Sequence, residues 1–141
     1  MLELTIVRGD LFNAPETECL VHCISADFAL GKGIAQEFQT RFHLREQLRA
    51  QFPAGGTVGH CIRIGRVFNL VTKSQYWGKP SYETLHLALI DLRQQCLADN
   101  IQSLSMPLIG CGLDRLDWSN VERHIREVFQ YTNIFITVYV K

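Results

Sequence analysis

No charge of one sign dominates this sequence: 14 Lys and Arg balance 14 Asp and Glu, for a formal net charge of zero. A broad basic footprint for gripping a long nucleic acid is therefore missing, and an anionic ligand must be held locally by a few side chains and backbone N–H groups. No run of about 20 apolar residues occurs, so no membrane-spanning helix is expected. The opening MLELTIVRGDLF carries Glu3 early and lacks the charged-then-apolar layout of a secretory signal. There is no CxxC pair among Cys19, Cys23, Cys61, Cys96 and Cys111. An odd count without a signal segment reads as free thiols in a reducing, intracellular compartment. Cys19 and Cys23 sit four apart with no second ligand pair, so no structural zinc is expected, and no cofactor is implied. Internal repeats, low-complexity segments and linkers are also absent.

What remains is an ordinary globular composition, 47% apolar and 20% charged over 141 residues. The length predicts one domain spanning 1–141, since a chain of about 150 residues buries roughly 68–70% of its unfolded surface. Strand and helix patterns alternate along it. Strands are expected at Leu4 to Arg8, Cys19 to Ile24, Val58 to Ile64, Val67 to Thr72, Ile101 to Met106 and Ile134 to Val140. Gly65-Arg66 supplies a hairpin turn between the third and fourth. Helices are expected over Gly33 to Phe42, with Ile34, Phe38 and Phe42 on one face, and over Leu44 to Phe52. A longer one follows Ser81 as N-cap, with the stripe Leu85, Ala88, Leu89, Leu92 and Cys96. The last is capped by Asp117 and buries Val121, Ile125, Val128 and Phe129. This order predicts an α/β domain, a three-layer α/β/α sandwich around a mixed, mostly parallel sheet.

Two loops carry the most information. Leu30-Gly31-Lys32-Gly33-Ile34-Ala35 follows a buried strand and opens a helix, where glycines admit a ligand to the backbone and unpaired N–H groups meet an anion. Alone it is weak: it lacks the third glycine of a dinucleotide fingerprint, and no GxxxxGK[ST] loop occurs. A plain tight turn explains it equally well. Pro107-Leu108-Ile109-Gly110-Cys111-Gly112-Leu113-Asp114-Arg115 repeats the arrangement between another strand and helix. Two Gly-x-Gly loops at strand ends suggest a diphosphate cleft gripped from both sides. Asp10 either caps a turn, its commoner use, or accepts a hydrogen bond from an adenine amino group. Lys32, Lys73 and Lys79 are by default solvated. Cys111 beside His22 would make a thiol nucleophile, yet no third orienting group is apparent. Tyr76 and Trp77 are loop aromatics able to stack on a base or ribose.

Val21-His22-Cys23-Ile24-Ser25 with Gly31-Lys32-Gly33-Ile34-Ala35, and Ser105-Met106-Pro107 through Ile109-Gly110-Cys111-Gly112-Leu113-Asp114-Arg115-Leu116, resemble a macrodomain of the terminal ADP-ribose protein glycohydrolase type. The likeness runs from Gly9-Asp10-Leu11-Phe12 to the last strand and includes Lys79-Pro80-Ser81-Tyr82-Glu83. The IGCGLDRL string is the most specific part. The resemblance implies an α/β/α sandwich that binds ADP-ribose. By position it assigns Asp10 and the backbone at Leu11 to the adenine. Gly31, Lys32, Gly33 and Ile34 would line one side of the diphosphate, and Ile109, Gly110, Cys111 and Gly112 the other. Ser25 and Leu113 fall near the distal ribose. Lys73 and Asp114 match the catalytic lysine and aspartate of this type. The chain departs from most macrodomains in lacking asparagine over Cys23 to Asp27, which disfavours an Asn-oriented water and favours a lysine mechanism. It also has Leu108 where this type carries a polar residue, and a distinct Ser74 to Gly78 loop.

The implied reaction releases ADP-ribose from esters on Glu or Asp side chains of mono-ADP-ribosylated protein, with deacetylation of O-acetyl-ADP-ribose as a related use. Lysine attack requires a neutral amine, favoured by burial or a nearby cation. Two rivals stay open: hydrolysis of ADP-ribose linked to a nucleic-acid base, against which zero net charge argues mildly, and a non-catalytic reader, which has no use for Lys73. A monomer without membrane attachment is expected.

Overall fold

The computed structural model describes residues 1–141. Six strands form one sheet: β1 (Glu3–Arg8), β2 (Cys19–Ser25), β3 (Cys61–Ile64), β4 (Val67–Lys73), β5 (Ser103–Met106) and β6 (Phe135–Val140), in the order β1-β6-β5-β2-β4-β3. Every neighbouring pair is parallel except β3 and β4, an antiparallel hairpin turned by Gly65 and Arg66. Four helices cover the sheet: α1 (Gly33–Phe42), α2 (Leu44–Gln51), α3 (Tyr82–Ala98) and α4 (Trp118–Phe129).

Strand periodicity explains the layering, because alternate side chains leave a strand on opposite faces. Leu20 and Ile24 of β2, with Val67 and Val71 of β4, pack with Phe38 of α1 and Leu44 and Leu48 of α2. Val21, Phe68 and Leu70 point the other way, into a core with Leu85, Ala88, Leu89, Leu92 and Cys96 of α3 and Val121, Ile125 and Phe129 of α4. The architecture is thus the expected α/β/α sandwich. The α3 stripe is wholly buried, and its N-terminus carries a complete capping box between Ser81 and Thr84.

Four expectations need correction. Residues 58–60 are not strand: Gly59 takes φ +91°, outside the extended region, and β3 begins at Cys61. Ile101 precedes β5, which starts at Ser103 after Asn100 turns left-handed at φ 56°. Asp117 stands at the α4 N-cap, yet its side chain accepts from Ser119 Oγ (2.7 Å) rather than from a backbone amide. Ile34 is 37% exposed and belongs to a cavity wall, while Phe38 and Phe42 carry the apolar face of α1.

Candidate functional site

A cavity of about 1080 Å³ opens at the carboxyl ends of the parallel strands. Its position follows from topology. Adjacent strands β2 and β5 lead to helices on opposite faces of the sheet, and ligands settle at such switch points. The two strands are laddered only at Cys19↔Leu104 and Leu20↔Ser105, so their carboxyl ends are not laced together. All fourteen residues singled out above line this one space: Asp10, Leu11, Ser25, Gly31, Lys32, Gly33, Ile34, Lys73, Ile109, Gly110, Cys111, Gly112, Leu113 and Asp114. Although the chain is neutral overall, the lining has five basic residues against three acidic ones, as suits an anionic ligand.

The first glycine loop turns through two non-glycine residues in left-handed conformation, Phe28 (φ 56°) and Leu30 (φ 43°), before α1 begins. Such strain persists only where surrounding structure holds it. Here Arg45 does so, donating from Nε and Nη2 to the Ala29 carbonyl at 3.0 and 2.6 Å. The α1 N-terminus has no side-chain cap, and the amides of Gly31 to Ala35 find no acceptor within the protein. Unpaired N–H groups at a helix start are an anion site.

The second loop is braced by Cys111 N–H to Leu108 O (3.1 Å) and Leu116 N–H to Gly110 O (2.8 Å). The amides of Gly112, Leu113 and Asp114 bond to nothing in the protein. The glycines of the two loops are not equally required by the fold. Gly33 (φ +58°) and Gly110 (φ +73°) hold left-handed backbone, and an added Cβ would lie 3.1 Å from Leu113 Cδ1 and 3.0 Å from Leu116 Cδ1 respectively. Gly112 is not left-handed, and its added Cβ would meet nothing within 4 Å. The fold does not need a glycine there. Leu113, 63% exposed, reaches across from the second loop to the first at Gly33.

Lys73 ends β4. A bulge shifts the β2–β4 register from Ile24↔Val71 to Ser25↔Lys73, and such an extra residue re-aims the side chain beyond it. Lys73 Nζ meets Asp114 Oδ1 at 2.7 Å, and both side chains are largely withdrawn from solvent, at 15% and 16% exposure. The charged partner of the lysine is thus a carboxylate rather than a cation. Beneath the pair, burial first and the Asp114 carboxylate second push the Cys23 thiol up to about 12.

A Cys111–His22 pair does not form. Cys111 Sγ donates to its own loop at Ile109 O (3.3 Å), and burial holds the thiol at about 11. His22 is fully buried, stacked on Phe38 with ring centroids 3.8 Å apart, and its Nε2 donates to Asn69 Oδ1 at 2.6 Å. Burial lowers its pKa to about 4. It is a neutral core histidine. Asp10 performs the turn role: its Oδ1 accepts from Phe12 N–H at 3.0 Å, and its Oδ2 lies 3.7 Å from Lys141 Nζ. Ile109 is 2% exposed and offers the cavity only backbone. Lys79 is exposed, as expected, and donates to Leu113 O at 3.1 Å across the mouth.

Asp27 is the residue that sequence reasoning passed over. Its Oδ1 accepts from Ser25 Oγ (2.5 Å) and Ala29 N–H (3.2 Å), and its Oδ2 accepts from Tyr76 N–H (2.9 Å). Burial raises its pKa, and those hydrogen bonds outweigh it to hold the carboxyl below the usual range. One carboxylate therefore ties the end of β2, the first glycine loop and the Tyr76–Trp77 loop together. Its place in the sequence, two positions past the end of a buried strand, does not by itself set it apart from an ordinary turn aspartate.

No family model matches the chain. Among curated proteins it is 47% identical over 137 residues to the ADP-ribose glycohydrolase OARD1 of Bos taurus, covering 96% of this chain and 90% of that one. It is 30% identical over 142 residues to a DNA ADP-ribosyl glycohydrolase of Mycobacterium tuberculosis, covering 90% of this chain and 39% of that protein. Among solved structures, the macrodomain of Thermus aquaticus DarG superposes with a TM-score of 0.87 at 26% identity, over 100% of both chains. With two backbone-lined loops at a β2–β5 switch point and relatives of this extent, the chain belongs to the macrodomain family, in its terminal ADP-ribose protein glycohydrolase type.

Proposed function

We propose that the protein hydrolyses the ester between ADP-ribose and Glu or Asp side chains of mono-ADP-ribosylated protein. The observation that carries this reading is the Lys73–Asp114 pair, 2.7 Å apart, where the two glycine loops converge. The free amides of Gly31 to Ala35 and of Gly112 to Asp114 would bind the diphosphate, with Asp10 Oδ2 and the Leu11 backbone at the adenine. That leaves the distal ribose toward Ser25, Leu113 and Lys73. Asp114 takes a proton from Lys73 Nζ, and the free amine attacks the anomeric carbon of the ribose. The bond from that carbon to the acyl oxygen breaks, and the carboxylate leaves. Asp114 then serves as acid/base while water cleaves the lysine adduct, regenerating the amine and releasing ADP-ribose. The same attack releases acetate from O-acetyl-ADP-ribose when the acetyl group is carried on the anomeric oxygen. We read the protein as an intracellular monomer, in keeping with its five free thiols.

The second reading is release of ADP-ribose from a nucleic-acid base. The relatives named DNA ADP-ribosyl glycohydrolases favour it, as do the exposed Tyr76 and Trp77 at the cavity rim. Neutral net charge weighs against it. A pure reader of ADP-ribose would have no use for a paired, half-buried Lys73. The deciding experiment is incubation with glutamate-linked and base-linked ADP-ribosyl substrates, measuring free ADP-ribose. Release from the glutamate ester alone supports the first reading, release from the base alone the second, and release from neither leaves a reader.

A further inference from the structure

His86 of α3 and His124 of α4 face each other across the seam between their helices. Their Nδ1 atoms lie 2.9 Å apart and their rings cross at 75°. Glu127, one turn beyond His124, adds a carboxylate, and the ligand atoms of the three residues all lie within 4.8 Å of one another. None of them lines the cavity. A bare pair of imidazoles in this pose accommodates only one proton between the two nitrogens, because protonating both sets like charges in contact. Neutral imidazole is the form that ligates metals.

We propose that His86, His124 and Glu127 bind one divalent transition-metal ion of the zinc class, bridging α3 and α4. Two imidazoles and one carboxylate are a donor set zinc takes, with water in the fourth position. Harder ions such as calcium or magnesium need more oxygen ligands than one carboxylate supplies. Tetrahedral ligands at 2.0–2.1 Å lie about 3.4 Å from each other, so the 2.9 Å nitrogen pair opens by about half an ångström. Glu127 is exposed and closes from the solvent side. The ion would brace more than the seam. His124 stacks on Tyr82 with ring planes 10° apart, and the Tyr82 hydroxyl accepts from Asp117 N–H at 2.9 Å, where the Asp114 loop joins α4.

The test is titration of the chelator-treated protein with zinc, and with cobalt as a spectroscopic probe. Binding of one equivalent is expected, with a four-coordinate cobalt spectrum free of sulfur-to-metal charge transfer, which sets aside the five cysteines. His86→Gln and His124→Gln should each weaken zinc by about 100-fold and Glu127→Gln by about tenfold, since even outer-shell changes cost 10–100-fold. At 100 times its dissociation constant zinc should raise Tm by about 5–10 °C, a shift absent in the histidine variants. Far-ultraviolet circular dichroism and a cooperative melt establish that each variant folds. If a histidine variant does not fold, the exposed Glu127→Gln and the cobalt spectrum decide. Unchanged zinc affinity in the folded variants, a thiolate charge-transfer band, or no zinc binding at 100 μM overturns the site.

Discussion

Gly112→Val separates a glycine required by a ligand from one required by the fold. The backbone at Gly112 lies outside the left-handed region, and a Cβ there would touch nothing. The unliganded protein should therefore tolerate the change, and a side chain at a compatible glycine position even stabilises by about 0.4–1 kcal/mol through the unfolded chain. ADP-ribose binding should fail. The valine methyls occupy the space through which a diphosphate reaches the free amides of Gly112, Leu113 and Asp114. Hydrogen bonds to charged groups contribute about 1.5–3 kcal/mol each. Losing two of them removes about 3–6 kcal/mol, more than about 100-fold in affinity at 1.4 kcal/mol per tenfold. A micromolar ligand, about −8 kcal/mol, would then bind with a Kd between roughly 0.1 and 20 mM. Titration calorimetry reads the affinity and a melt without ligand reads the fold. Gly33→Ala is the contrast: its φ of +58° and the 3.1 Å approach to Leu113 should cost about 1–2 kcal/mol of stability. Gly112→Val binding ADP-ribose within threefold of the parent would refute the backbone-contact argument.

Lys73→Ala should keep ADP-ribose affinity within about 1 kcal/mol while turnover on the glutamate ester falls by orders of magnitude, the signature of a role confined to the rate; undiminished hydrolysis would move the chemistry to another group. Lys73→Arg should not restore it, since guanidinium stays protonated. Asp10→Ala should weaken ADP-ribose by about 1–3 kcal/mol and barely affect ribose 5-phosphate, which has no adenine. An equal loss for both ligands, measured by calorimetry, would reduce Asp10 to its bond with Phe12 N–H. His22, held at about 4 against 6.5 by burial, binds its proton more readily unfolded than folded. Its contribution is therefore lost as pH falls from 6.5 toward 4, by about 3 kcal/mol at most. Chemical denaturation of wild type and His22→Gln across that window should differ in slope, and parallel curves would sink the assignment.

The sequence by itself determined the elements and their sides. Alternating apolar residues in β2 and β4, and the Leu85-to-Cys96 stripe of α3, record which faces must leave water, and that record is local. It also determined both glycine loops, because the residues that form each loop lie within ten positions. Only the tertiary structure decided what distant segments do to one another. Lys73 and Asp114 are 41 positions apart, and their 2.7 Å contact depends on the strand order and on the bulge before Lys73. Asp27 is unremarkable in sequence until the fold brings Tyr76, 49 positions away, to its free oxygen. His86 and His124 lie on separate helices with no shared spacing, and α3 packing on α4 alone sets them face to face. Ile34 reads as core by period, and the cavity at the β2–β5 junction exposes it. A hydrophobic period reports that a side chain avoids water; whether a protein core or a ligand site receives it is settled by how the strands are ordered and where they part.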